Sequence, residues 1–244
     1  MRNIKLFIQF DGTNYHGWQV QPNANTVQSE VSRAVSVVVG ENIKVIGCSR
    51  TDAGVHAKCY VCSFKTASPI PEEKLPFAIN AYLPPDIVCF CAEEVSSDFH
   101  AIASTRRKRY IYRIENSKIP DPFLRNRVWN YKGALDVSKM QEAAVHFLGM
   151  HDFVAFSAAG AQVKSTVRTI FEISVKCEGN IITVDVLGDG FLYNMVRIIT
   201  GTLVWVGLGK IQPSDIPDII NSKKRENAGV TAPPDGLYLW EVEY

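Results

Sequence analysis

The sequence predicts an α+β protein made of two ferredoxin-like βαββαβ subdomains, with mainly antiparallel sheets joined side by side and an active-site cleft between them. Two observations carry this expectation. Apolar residues at alternating positions, the mark of strands, exchange with apolar residues three and four apart, the mark of helices, in the order β-α-β-β-α-β; that order then recurs with one helix added. The chain also has 244 residues, 46% hydrophobic and 21% charged, an ordinary globular balance on a length that allows one large domain or two small ones. The subdomains are expected at residues 1–104 and 105–244. No residue-level repeat links the halves, so the duplication rests on pattern.

In the first half, Ile4, Leu6, Ile8 and Phe10 alternate with Lys5 and Gln9, which reads as a half-buried strand. Asp11-Gly12-Thr13-Asn14 is turn chemistry. Tyr15-His16-Gly17-Trp18-Gln19-Val20-Gln21 interleaves aromatics and amides. Such a segment either stacks on unpaired bases or is a loop pinned by Trp18 in the core. Asn25 and Gln28 stand at capping-box spacing; Val27, Val31, Ala34, Val35 and Val38 mark a helix face that Gly40 ends. Strands follow at Ile43–Ile46 and Cys59–Lys65. Pro71-Glu72-Glu73 opens a second helix with proline and acids in its first turn. Leu83-Pro84-Pro85-Asp86 turns the chain into a strand from Ile87 to Val95.

The second half begins with a strand from Tyr110 to Ile114, then a loop or short strand from Arg125 to Lys132. Asp136 starts a helix with face Val137, Met140, Ala144, Phe147 and Leu148, ended by Gly149. Val167–Val175 and Ile181–Leu187 are strands joined by a hairpin turn at Cys177-Glu178-Gly179-Asn180. Leu192–Val206 and Pro213–Ile220 read as helices, and Leu237–Val242 as the closing strand.

No apolar stretch approaches a membrane span, and the N-terminus enters a strand at once, so a cytoplasmic location is expected. The net charge of +1 decides nothing about nucleic acid, because binding depends on clustering. The clusters are Arg106-Arg107-Lys108-Arg109, Arg125 with Arg127, and Lys223-Lys224-Arg225. Cys59 and Cys62 form a C-x-x-C, but a separation of three on a strand sends them to opposite faces, so no metal site is expected.

Chemistry concentrates in Gly47-Cys48-Ser49-Arg50-Thr51-Asp52-Ala53-Gly54-Val55-His56-Ala57, a connection longer than most between two strands. Arg50 and Asp52, two apart, leave an extended segment on one face, and an arginine there keeps the carboxylate ionised. The pair is either structural or a placed anion for nucleophilic or general-base work. Tyr110 and Tyr112 share a strand face behind four cations, which is a phosphate and base platform or a gatekept strand with a core tyrosine. Arg197 lies in an otherwise apolar helix and needs a partner there: Asp52, Asp189 or a backbone carbonyl.

Arg50-Thr51-Asp52-Ala53-Gly54-Val55-His56-Ala57 resembles the catalytic signature of the TruA family of tRNA pseudouridine synthases. Further stretches resemble the family in order: Phe10–Thr13 with Gly17-Trp18-Gln19, Phe99-His100-Ala101, Tyr110, His151–Phe156, Gly188–Arg197 and Ala232–Leu239. Ile102 stands where the family has Arg after Phe-His-Ala.

The resemblance implies isomerisation of uridine to pseudouridine in the tRNA anticodon arm, at positions 38, 39 and 40, by a homodimer without cofactor or metal. It implies Asp52 as catalytic carboxylate, Arg50 and Arg197 as the cations that place it, and Tyr110 against the flipped uracil. Tyr110, His56, Arg106, Arg107, Lys108 and Arg109 are the expected substrate-binding residues. The apolar segments Leu203–Val206 and Leu237–Trp240, if uncovered, would also favour a dimer. Two rivals are a non-catalytic RNA-binding protein, to which an anion facing phosphates offers nothing, and an N-glycosidase, which would need a second placed acid.

Overall fold

The computed structural model describes residues 1–160 and 163–244, a mixed α+β fold whose strands pair mostly antiparallel. The chain forms two compact units, Met1–Arg106 with Tyr238–Tyr244, and Arg107–Leu237. The last strand of the chain, expected to close the second half, thus packs within the first unit. Its Glu243 carbonyl accepts the Arg106 amide at 2.8 Å, and Tyr244 Oη donates to the Ala101 carbonyl at 2.9 Å.

The first unit contains β1 (Arg2–Phe10), α1 (Val27–Val39), β2 (Ile46–Gly47), β3 (His56–Thr66), α2 (Leu75–Asn80) and β4 (Ile87–Val95). β1 is central, antiparallel to β3 on one side and β4 on the other. Its alternating Ile4, Leu6, Ile8 and Phe10 are all buried, as a strand with one apolar face requires. β2 pairs antiparallel with the later part of β3. The chain's last strand, Leu237–Glu243, runs parallel to the start of β3, with Tyr238 opposite His56.

Two local expectations fail for one reason. α1 is capped by Thr26 with Ser29, not by Asn25 with Gln28, because the Gln28 side chain is used elsewhere. It is buried, donates to the Val45 carbonyl at 2.8 Å and accepts the Val20 amide at 2.9 Å. Ser36 Oγ likewise accepts the Ile43 amide and Ser32 Oγ the Val45 amide. Side chains of α1 thus take the backbone groups of residues 43–45, and only Ile46–Gly47 remains for a strand.

The second unit contains β5 (Arg107–Glu115), β6 (Trp129–Asn130), α3 (Val137–Ala144), β7 (Gly149–Asp152), β8 (Val167–Glu178), β9 (Ile181–Gly188), α4 (Met195–Gly207) and α5 (Ile216–Ser222). β9 lies between β5 and β8, antiparallel to both; β7 extends β8 antiparallel and β6 runs parallel to β5. Asp136 caps α3 as expected, but the helix ends at Ala144 in a 3-10 turn and β7 follows, a strand too short to show alternation. α4 buries eleven of its thirteen residues. A Cβ on Gly201 would stand 1.8 Å from the Val230 carbonyl oxygen, so the main chain of residue 230 lies directly on this helix.

The uncovered apolar segments offered as a motive for a dimer are covered within one chain. Leu203, Val204, Val206, Leu237, Tyr238 and Leu239 are buried and Trp205 is half-buried, which leaves Trp240 exposed. Among the described residues no helix is long and apolar enough to cross a membrane. Five of the six cysteines are buried or half-buried, while Cys177 is exposed. Burial pushes the Cys89 thiol up to about 12.

Candidate active site

The Asp52 loop is gripped by a second segment of the first unit. Residues Asp11–Gln19, between β1 and α1, lie against it main chain to main chain. The Trp18 amide donates to the Thr51 carbonyl at 3.3 Å, and the Gly54 amide donates to the Tyr15 carbonyl at 3.2 Å. Glycine makes this approach possible. A Cβ on Gly12 would sit 2.0 Å from the Val55 carbonyl oxygen, and one on Gly17 2.2 Å from the Thr51 carbonyl oxygen. Gly17 also has φ of +81°, in the region glycine enters most easily.

The grip is fastened to the core at both ends. The Val27 and Gln28 amides at the start of α1 donate to the Gly17 and Trp18 carbonyls, which satisfies two helix-end donors. Trp18 is 2% exposed and stacks on Tyr60 at 4.1 Å. Tyr60 Oη in turn donates to the Ser49 carbonyl. Tyr15 is buried and donates its phenol to Asp86 Oδ1 at 2.5 Å. The aromatic segment Tyr15–Gln21 is therefore a loop pinned by Trp18, the second of the two readings its sequence allowed.

Within the loop, Thr51 is buried and Arg50 exposed, with Asp52 half-buried. The Asp52 carbonyl accepts the Val55 amide at 3.2 Å, and Gly54 has φ of +79°, which fits the third position of a type II turn. The Asp52 carboxylate thus rises from a turn whose backbone is fixed on both sides. Arg50 makes no hydrogen bond or ion pair among the described residues, so the Arg50–Asp52 pair expected from the spacing is not formed by Arg50. Its guanidinium is solvated, and an exposed pair would return only about 0–1 kcal/mol. The Thr51 hydroxyl is buried and has no hydrogen-bond partner among the described residues.

His56 is 2% exposed and supports the loop rather than lining a surface. Its Nδ1 accepts the Gly12 amide at 3.0 Å and lies 3.2 Å from Asp11 Oδ1. One nitrogen cannot both accept from Gly12 and donate to Asp11. The backbone N–H is always a donor, which makes the ring neutral with its proton on Nε2. Asp11 Oδ1 accepts from the Thr13 amide and hydroxyl instead. The ring stacks on Tyr238 at 4.7 Å.

In the second unit, Tyr110 is 7% exposed with its ring edge-on to Phe191 at 5.2 Å. Tyr112, on the same strand face, donates to the Pro233 carbonyl at 2.7 Å, and burial holds its phenol well above its ordinary value. Arg197 is half-buried; its Nε donates to the Ala232 carbonyl at 2.7 Å and its Nη1 to Asn194 Oδ1 at 2.8 Å. Asp189, one partner considered for it, instead accepts the Thr169 amide at 2.9 Å.

The basic run divides. Arg109 bonds Asp185 at 2.9 Å and Glu172 at 2.7 Å, passing the buried Leu187 that lies between Arg109 and Glu172 in the strand register. Two carboxylates offset its charge and tie it across the sheet. Arg107 lies over the Phe171 ring at 4.5 Å, and Arg106 and Arg107 are exposed.

The gripping residues Gly12, Tyr15, Gly17 and Trp18 carried a signal only as a motif, since nothing local indicates which loop they hold. A half-buried carboxylate on a turn braced by backbone bonds is suited to attack on carbon or to proton abstraction.

The sequence model of a family described as tRNA pseudouridine synthase matches residues 6–102 and 143–244. The chain is 52% identical over 244 residues to tRNA pseudouridine synthase A of Acetivibrio thermocellus, covering all of both chains. It is 49% identical over 244 residues to the protein of that name from Thermoanaerobacter sp. (strain X514), again over all of both. The one from Ruminiclostridium cellulolyticum is 52% identical over 246 residues and is also covered completely. With the signature loop assembled around Asp52 and similarity along its whole length, the chain belongs to the tRNA pseudouridine synthase family, enzymes that isomerise uridine.

Proposed function

We propose that this enzyme forms pseudouridine in the anticodon stem-loop of tRNA, at positions 38, 39 and 40, with Asp52 as the nucleophile. The observation that carries the reading is the braced loop. Four glycine-permitted or main-chain contacts hold Thr51, Gly54 and Val55, and the residue set among them, Asp52, is half-buried.

In the reaction the bond from ribose C1′ to uracil N1 breaks, the detached uracil turns, and C1′ joins C5. The proton leaves C5 and N1 gains one, so the product is an isomer. The carboxylate attacks the base or the sugar carbon, or the bond to N1 breaks by elimination to a glycal. Arg50 supplies positive charge on the same loop, and Arg197 and Tyr110 serve the same reaction as a placing cation and a partner for the uracil. His56 holds the loop from behind. Taking the base out of its stack costs about a few kcal/mol, which phosphate contacts from Arg106, Arg107 and Lys108 help offset.

The same reading includes a cytoplasmic homodimer and ferredoxin-like units. For the first unit, the order β4-β1-β3-β2 supports the latter. Unmodified tRNA incubated with the protein and mapped by carbodiimide-primer extension is expected to stop at positions 38–40. Pseudouridine confined to another arm would refute the assignment. Sedimentation tests the dimer.

A further inference from the structure

The connection between β5 and β6 has no part in the chemistry above, yet it is built with care. Glu115, at the end of β5, is only 4% exposed. Its Oε1 accepts the Asp121 amide at 2.8 Å and its Oε2 accepts Asn130 Nδ2 at 3.1 Å. Asn116 Nδ2 donates to the Tyr131 and Gly133 carbonyls at 2.9 and 2.6 Å. Asp121 Oδ1 accepts the Phe123 amide at 2.9 Å and starts a 3-10 turn, Pro122–Leu124. Pro120 and Pro122 restrict the tip further.

This frame displays what a fold normally hides. Ile119 is 82% exposed and Phe123 86% exposed. Lys118 and Arg125 flank them, both exposed. Large apolar side chains on a backbone fixed by a buried carboxylate are ready to bind at little ordering cost. Lys118 and Arg125 outweigh the one exposed carboxylate between them, Asp121, whose Oδ1 is turned to the Phe123 amide, and so favour a polyanion. An aromatic ring between cations matches the surface that stacks on a nucleobase while its neighbours meet phosphates.

We propose that residues 118–125 form an RNA-contact site separate from the Asp52 loop, in which Phe123 stacks on an unpaired or terminal base of the tRNA and Lys118 and Arg125 hold adjacent phosphates. The proposal rests on tRNA being the substrate, and it assigns this loop to grip and not to catalysis.

The test uses the full chain and unmodified tRNA transcript. Phe123→Ala is expected to weaken tRNA binding about tenfold. Phe123→Trp, which keeps a stacking face, is expected to bind as wild type does. Lys118→Gln with Arg125→Gln is expected to lower the salt-dependence slope by about two. Single-turnover pseudouridine formation at saturating tRNA should not change in any variant. Melting temperature and sedimentation should also stay at wild-type values, since the side chains are exposed. Wild-type affinity in Phe123→Ala overturns the proposal. So does a change in sedimentation without a change in affinity, which would make the tip a contact between copies. If instead the wild-type protein binds no tRNA, it is the functional reading that fails.

Discussion

Gly17→Ala isolates the grip on the Asp52 loop. The new Cβ would stand 2.2 Å from the Thr51 carbonyl oxygen, where ordinary contact begins near 3.4 Å. Backbone must therefore separate from backbone by about 1 Å, and the moving part carries Asp52. Misplacement of that size costs about a hundredfold in turnover. Alanine at a φ of +81° adds roughly 1–2 kcal/mol of conformational cost. Gly40→Ala is the matched control. Gly40 has φ of +71° with nothing within 4 Å of the added Cβ, so it carries the conformational cost alone. Both variants should melt at lower temperature, and only Gly17→Ala should lose turnover at saturating tRNA. A folded Gly17→Ala protein with wild-type turnover would refute the reasoning.

Other perturbations follow from particular contacts. Thr51→Val removes a buried hydroxyl without a partner, and chemical denaturation should show stability rising by about 1 kcal/mol with turnover retained. Lost turnover at unchanged stability would mean that the reaction uses the hydroxyl. Arg109→Gln leaves Asp185 and Glu172 uncompensated and should lower the melting temperature with little effect on the salt dependence of tRNA binding. Arg106→Gln with Arg107→Gln should do the reverse. Asp152 is held below its ordinary carboxylate value first by the Thr166 hydroxyl at 2.6 Å and then by Lys223. Because its folded pKa is the lower one, its contribution is complete above the unfolded value and disappears as pH falls through the folded value. Wild type should exceed Asp152→Asn by about 1 kcal/mol at neutral pH, and the difference should vanish in strong acid. A constant difference across a pH series of melts would contradict this.

The sequence carried the long elements and the identity of the loop, but not what holds the loop. β1 and β4 were legible from the alternation of their apolar residues, and α4 from a nearly unbroken apolar run that the fold buries almost all round. Residues 43–45 read as strand from composition, yet their backbone partners are serine and glutamine side chains of α1, a long-range choice with no local mark. The cap of α1 went to Thr26 because Gln28 had been recruited to that contact. Asp52 was legible as a motif, whereas its bracing depends on Gly12 and Gly17 meeting carbonyls about forty residues away. That Arg109 meets Asp185 and Glu172 could not be read from the basic run, because strand register brings those carboxylates to it from 76 and 63 residues away.

Asp52→Asn tests the central assignment most directly, with pseudouridine formation, tRNA affinity and melting temperature read on the same preparation. The substitution keeps shape and removes the anion. The account predicts no product, affinity equal to or above wild type because one charge facing phosphates is gone, and little change in melting temperature. A well-folded Asp52→Asn protein that still makes pseudouridine would contradict it.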